Sequence, residues 1–168
     1  ELLRWDPARY GGIQNLTLPK ELFWKPEITL ANRESNKEAN IYDSAFTPAF
    51  VDNDGLVTMV PAGYFQSKCS IDTTFYPLDQ HVCYFDFFCS NHDISEVVLE
   101  SPLTTIEYDT FTENNEWTIK ATDISIELQR KPTVLKFVSS MSSSITVQRR
   151  PAFGVVNTYA GVMLLTVL

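Results

Sequence analysis

The residues with the most chemistry lie between positions 69 and 93: Cys69, His81, Cys83, Cys89, His92 and Asp93. Cys89, His92 and Asp93 are metal-capable and close in sequence. A structural zinc site takes four ligands, and only His81 and Cys83 stand near enough to complete one. No metal and no cofactor is therefore expected. In an oxidising compartment the three cysteines would give one pair and one leftover thiol; in the cytosol they would stay reduced. Asp52-Asn53-Asp54-Gly55 hints at a calcium loop. Its glycine follows the wrong aspartate and no glutamate closes the spacing, so a turn accounts for it better. The two histidines stand near neither a nucleophile elbow nor a glycine-rich phosphate loop, which argues against an enzyme. The formal net charge of −8 argues against a nucleic-acid partner, because phosphates would be repelled.

The elements that would carry these residues read as strands. Ile124, Ile126 and Leu128 alternate with Ser125, Glu127 and Gln129, which is period two. Asn53-Asp54-Gly55 separates apolar runs that end at Val51 and resume at Leu56, a hairpin signal that lets the central residues take positive φ. Prolines at 19, 26, 48, 61, 77, 102 and 132 leave no long stretch for a helix before Pro151. Ser139 to Ser144 is serine-rich, and Ile145-Thr146-Val147 resumes a strand pattern. The last 18 residues, Pro151 to Leu168, carry no charge. As a helix they would rise roughly 27 Å, close to the thickness of a bilayer core. The expected class is all-β, a β-sandwich with a helix attached at its end. The chain opens in mid-pattern on Glu1-Leu2-Leu3-Arg4-Trp5, without a signal peptide, and reads as a fragment that lacks its true N-terminus. Asn15-Leu16-Thr17 is a glycosylation sequon and hints at the secretory pathway.

Cys69 and Cys83 enclose thirteen residues, SIDTTFYPLDQHV, in which Tyr76-Pro77-Leu78-Asp79 reads as a turn. This loop resembles the signature loop of the Cys-loop pentameric ligand-gated ion channels. The likeness continues along the chain toward the nicotinic acetylcholine receptors. Leu3-Arg4-Trp5-Asp6-Pro7 followed by Tyr10-Gly11-Gly12-Ile13 resembles the nicotinic segment with Trp-Asn-Pro and Tyr-Gly-Gly, and Leu18-Pro19 with Trp24-Lys25-Pro26-Glu27-Ile28 resembles the segment leading to the first ligand loop. Val60-Pro61-Ala62-Gly63-Tyr64-Phe65-Gln66-Ser67-Lys68-Cys69 resembles the strand entering the Cys-loop. Glu116-Trp117 resembles part of a later strand, and Gln148-Arg149-Arg150-Pro151 the junction before the first membrane helix.

The resemblance implies a Cys69–Cys83 disulfide with Cys89 left over. Closing such a loop stabilises a fold by about 3 kcal/mol in the chain-entropy account. It implies an immunoglobulin-like β-sandwich over residues 1–150, extracellular and with its N-terminal part missing. Residues 151–168 would begin the first transmembrane helix. Arg149 and Arg150 sit on what would be the outer flank, against the positive-inside tendency, which long translocated domains escape. The implied protein is a channel subunit in the plasma membrane, a synapse being one address the resemblance allows. It would assemble with other subunits into a pentamer and bind a small neurotransmitter-like ligand between neighbours. Pro77, Asp79, Arg149 and Arg150 would couple binding to the pore.

On the ligand side, Thr58 and Val60 stand where the complementary strand lines the pocket. Ala31, Ser90 and Asn91 fall in the principal loops. There the chain departs from the pattern: Ala31 replaces an expected tyrosine and Ser90 an expected tryptophan. Leu128 to Phe137, with Arg130, Lys131 and Pro132, holds neither the tyrosines nor the paired cysteines of an agonist-binding third loop. An aromatic box that grips quaternary ammonium by its ring faces would be incomplete. Two further readings compete with an agonist-gated subunit: an accessory subunit that assembles without binding agonist itself, and a secreted acetylcholine-binding-protein-like domain. The uncharged tail favours the channel.

Overall fold

A computed structural model describes residues 3–34, 40–42, 47–61, 63–109, 111–112, 114–131, 136–152, 155 and 162. Seven strands carry the fold: β1 (Asn15–Leu18), β2 (Ile28–Leu30), β3 (Ala49–Asp52), β4 (Val57–Met59), β5 (Gln80–Cys89), β6 (Trp117–Lys131) and β7 (Lys136–Arg149). They form two antiparallel sheets, ordered β1-β3-β4 and β2-β5-β7-β6. Two single 3-10 turns, Pro7–Arg9 and Lys20–Leu22, are the helical pieces among the described residues before Pro151. The proline spacing predicts that scarcity.

The alternation that defines strands is clearest in β3, where Ala49 and Val51 are buried and Phe50 is exposed. Asp52 donates its amide to the Leu56 carbonyl (2.9 Å) and Gly55 donates to the Asp52 carbonyl (2.8 Å). The β3–β4 hairpin therefore turns through a three-residue loop, with Gly55 at φ 91°. That is the type in which a single glycine takes the left-handed position.

Two stretches differ from the sequence expectation. The serine run does not interrupt a strand, because β7 passes straight through it in register with both β5 and β6. Its buried hydroxyls are satisfied: Ser139 Oγ accepts from the Leu99 amide (2.9 Å), and Ser140 Oγ donates to the Glu127 carbonyl (3.0 Å). The apolar face expected on β6 stays open, with Ile126 and Leu128 40% and 59% exposed. β6 ends the order of its sheet, so β7 is its one strand neighbour there. The buried apolar residues among those described, Leu30, Ala49, Val51, Cys89 and Val138, come from both sheets.

Pro151, Ala152, Val155 and Val162 are helical. Among the described residues no helix is long and apolar enough to cross a membrane. Most of the expected transmembrane segment, 151–168, lies outside those residues, as does 132–135 in the expected third ligand loop.

Candidate functional site: two ends of one strand

β5 organises the chemistry. Its ten residues span about 30 Å at ~3.3 Å per residue, with Asp79 just before one end and Ser90 just after the other. Cross-strand pairing to β7 runs from Gln80↔Gln148 to Phe88↔Ser140, which ties both ends to one rigid sheet.

At the first end Cys69 and Cys83 form a disulfide, with Cα atoms 5.0 Å apart. The enclosed loop reverses through two backbone bonds, Tyr76 to the Thr73 carbonyl and Leu78 to that of Phe75, and the Tyr76–Pro77 peptide is cis. It delivers Asp79 to a buried position where three groups converge. Arg149 Nε donates to Oδ1 (2.8 Å) and Nη2 donates to Oδ2 (3.1 Å), a forked pair. His81 Nε2 meets Oδ2 at 2.7 Å. The Arg149 amide also donates to the Asp79 carbonyl (3.1 Å). The remaining arm of the guanidinium, Nη1, donates to Glu116 Oε1. The guanidinium lies over the rings of Trp117 (4.1 Å) and Tyr76 (5.1 Å). Both aromatic faces add cation–π attraction.

Arg149 is the largest influence holding the Asp79 carboxyl far below the usual carboxylate range. Burial opposes it, and the His81 bond adds to it. Arg149 is in turn raised above its ordinary value, first by its bonds to Asp79. Burying an ion pair costs solvation, and such a pair persists only when its remaining hydrogen-bonding atoms are satisfied. Glu116, His81 and the two rings meet that condition here. Arg150 takes a different course: its Nε donates to Thr118 Oγ1 (2.7 Å) and its amide to the Glu116 carbonyl (2.8 Å). Of the four residues expected at a coupling junction, the structure brings Asp79 to Arg149, with Pro77 in the loop between the cysteines and Arg150 just past β7, its side chain on Thr118 of β6. Sequence reasoning missed Glu116, Tyr76, Trp117 and the role of His81. The Glu116-Trp117 dipeptide was the available signal, because an acid beside an aromatic is what a stacked arginine uses.

At the other end small polar groups meet. Ser90 Oγ and Thr29 Oγ1 share a hydrogen bond of 2.6 Å, and the Ser90 amide donates to the Glu27 carbonyl (2.8 Å). Asn91 Nδ2 donates to Glu27 Oε2. The Ala31 amide donates to the Asp86 carbonyl (2.7 Å). Rings at this end include Phe88, opposite Thr29 in the register, and Trp24, 68% exposed, which meets His92 edge to face at 5.2 Å, with His92 Nδ1 3.0 Å from Glu96 Oε2. Ser90 and Asn91 thus meet Thr29 and Glu27 at the end of β5, while Ala31, past the other end of β2, stands opposite Asp86 in the body of β5. Cys89 is unpaired and fully buried opposite Ile28, so it packs as a small apolar residue. Thr58 and Val60 lie on and just after β4, in the other sheet, with Val60 70% exposed. Asn15 is exposed on β1, opposite Asp52. No group of three or more metal-capable side chains occurs among the described residues.

Residues 1–151 match the neurotransmitter-gated ion-channel ligand binding domain. The chain belongs to that family. Among curated relatives it is similar to the neuronal acetylcholine receptor subunit alpha-2 of Mus musculus, 30% identical over 99% of this chain and 32% of that protein. It is also similar to the human alpha-4 subunit, 28% identical over 99% of this chain and 26% of that protein. The chain spans about a third or less of the length of these relatives. Within this ligand-binding-domain family, the disulfide loop and the pair beneath it mark one end of the sandwich. The Ser90–Asn91 group lies past the opposite end of β5.

Proposed function

We propose that this chain is the extracellular ligand-binding portion of a pentameric ligand-gated channel subunit in the plasma membrane. Residues 1–150 form the domain and 151–168 begin the first membrane helix; the absence of charge from Pro151 to Leu168 supports the latter. The subunit is of a non-principal type: it lends Thr58 and Val60 to a neighbour's pocket and does not itself supply an aromatic principal face. Asn15, exposed on β1, is its glycan acceptor. Asp79 and Arg149 transmit the state of the ligand loops toward the pore.

One observation carries the non-principal reading. Ser90 and Ala31 occupy the ligand-loop positions with a hydroxyl spent on Thr29 and a methyl, so neither offers a ring face to an ammonium ion. Each missing ring removes roughly 0.5–2 kcal/mol of cation–π attraction, and three together are worth on the order of 100-fold or more in affinity. The test is to express the full-length subunit alone and beside an aromatic-rich partner subunit, and to record acetylcholine-evoked currents. The expected result is no response from the homomer and a response from the mixture. Homomeric currents at ordinary micromolar acetylcholine would overturn the reading.

A further inference from the structure

We propose that His81 is a positioning residue of the coupling junction, one that holds the Asp79 carboxylate for Arg149 and makes coupling sensitive to external acid. The inference rests on the gating role given above to Asp79 and Arg149, and adds a residue and a regulatory input to it.

The geometry is specific. His81 is the second residue of β5, registered opposite Val147 of β7, and its side chain is almost fully buried. Its Nε2 lies 2.7 Å from Asp79 Oδ2, and that same oxygen accepts the second bond from Arg149, Nη2 at 3.1 Å. Imidazole and guanidinium therefore share one carboxylate oxygen. Asp79 is held ionised by its surroundings and can only accept, so Nε2 bears the hydrogen of neutral His81 and Nδ1 is the site of a second proton. The Trp117 ring lies 5.6 Å from the imidazole and confines its rotation.

The neighbours of His81 leave it a large electrostatic effect. Asp79 precedes it on the same strand, and Arg149 stands across on β7. Glu116, before β6, holds the far arm of Arg149. Asp72, on the disulfide-closed loop, is close enough for its carboxylate to respond to charge on His81, after its larger bonds to Thr74. Tyr76 and Trp117 present their rings to the same guanidinium. Without a charge on His81, two carboxylates, Asp79 and Glu116, hold one guanidinium. A proton on His81 Nδ1 makes the imidazole a second cation and strengthens the bond it already donates to Oδ2, at the expense of the Nη2 bond. The arginine keeps Oδ1 and Glu116 but loses half of its fork, so the tie between the loop and the segment entering residue 151 slackens. Asp79 stays ionised in mild acid, so at this oxygen the imidazole is the partner able to take up a proton.

The experiment uses the full-length subunit co-assembled with an aromatic-rich partner. Maximal acetylcholine currents, normalised to surface-labelled receptor, are compared at external pH 7.5 and 5.5; the quaternary ammonium of this agonist does not titrate. The parent should lose about fivefold of its maximal response in acid, the low end of typical allosteric couplings. His81→Gln, an amide that can still donate to Asp79 but does not titrate, should respond at pH 7.5 and change by less than about twofold in acid, within the same framework. His81→Ala should respond weakly at both values. A parent without the acid effect overturns the proposal, and so does His81→Gln with the parental acid effect. If His81→Gln does not reach the surface, His81→Asn takes its place. Asp79→Asn separates the two levels. If it gates like the parent, the gating role fails; if it is impaired while His81→Gln keeps the acid effect, only the role of His81 fails.

Discussion

The two ends of β5 solve opposite problems with one strand. At the Asp79 end the chain buries charge and answers every part of it: a forked guanidinium, a second carboxylate, an imidazole and two ring faces surround one aspartate. At the Ser90 end it uses a serine, a threonine and an asparagine, each bonded to a neighbour. The first end is expensive to alter, because removing either ion leaves the other buried without its partner. The second is inexpensive, because small hydroxyls exchange their bonds with water at little net cost. A subunit can thus lose ligand-gripping rings and keep its coupling machinery, provided a neighbour supplies the rings. That separation explains how a chain of this family can belong to a channel without being the principal agonist site.

The sharpest way to break the comparison is to attack the expensive end. Arg149→Gln, in the full-length subunit beside an agonist-binding partner, should reduce maximal agonist-evoked current on the order of 100-fold, the upper range of coupling between sites. Asp79→Asn should act in the same direction. Agonist binding, measured by equilibrium displacement, should shift far less than current in both. The double variant should be no worse than the worse single one, since both remove a single shared tie. Additive losses would mean that the two side chains act separately despite their contact. A matched loss of binding would move the pair from coupling to ligand recognition.

The inexpensive end tests the converse. Ala31→Tyr with Ser90→Trp should give the homomeric subunit an acetylcholine response, improving apparent affinity by about 10-fold or more from two restored ring faces. The tryptophan breaks the Ser90–Thr29 bond, so Thr29→Val belongs in the same variant to avoid a stranded hydroxyl. No gain from the triple variant would show that Leu128–Phe137, rather than the first two loops, sets the limit.

How much of this was legible beforehand follows from the kind of signal each feature leaves. The all-β class came from alternation and proline spacing, which are local. The β3–β4 turn came from Asn53-Asp54-Gly55, although its loop is three residues with one glycine at positive φ. The serine run was misleading, because hydroxyls look like loop composition until neighbours answer them, as Glu127 of β6 and the Leu99 amide do. At the junction, Asp79 and the two arginines were visible as types, but the choice between Arg149 and Arg150 was not. Adjacent residues of an extended chain point to opposite faces, and the β5–β7 register, with Gln80 opposite Gln148, sets Arg149 beside Asp79 while Arg150 reaches Thr118. Glu116 and His81 were hidden because their partners lie 33 residues away and two residues away, neither at a motif spacing.

The smallest expected effect concerns acid stability, and it separates charge from shape at the buried end. Asp79 is ionised in the fold well below the pH at which an unfolded aspartate, with a pKa of about 3.9, takes up its proton. A depressed carboxyl contributes stability that is fully present above that unfolded value and is lost as pH falls through the folded one. Asp79→Asn keeps the size and removes the charge. The melting temperature of the detergent-solubilised full-length variant should therefore lie below that of the parent at neutral pH. The gap should narrow progressively as the pH is lowered beneath about 4, where the unfolded parent chain binds the proton that the folded one refuses. Glu116→Gln, which removes the more exposed acid of the same guanidinium, should show the smaller neutral gap of the two, since a carboxylate shared with solvent contributes less. A gap for Asp79→Asn that stays constant from neutral pH into acid would assign the loss to misplaced hydrogen bonds of the amide, and the electrostatic account of the buried end would have to be given up.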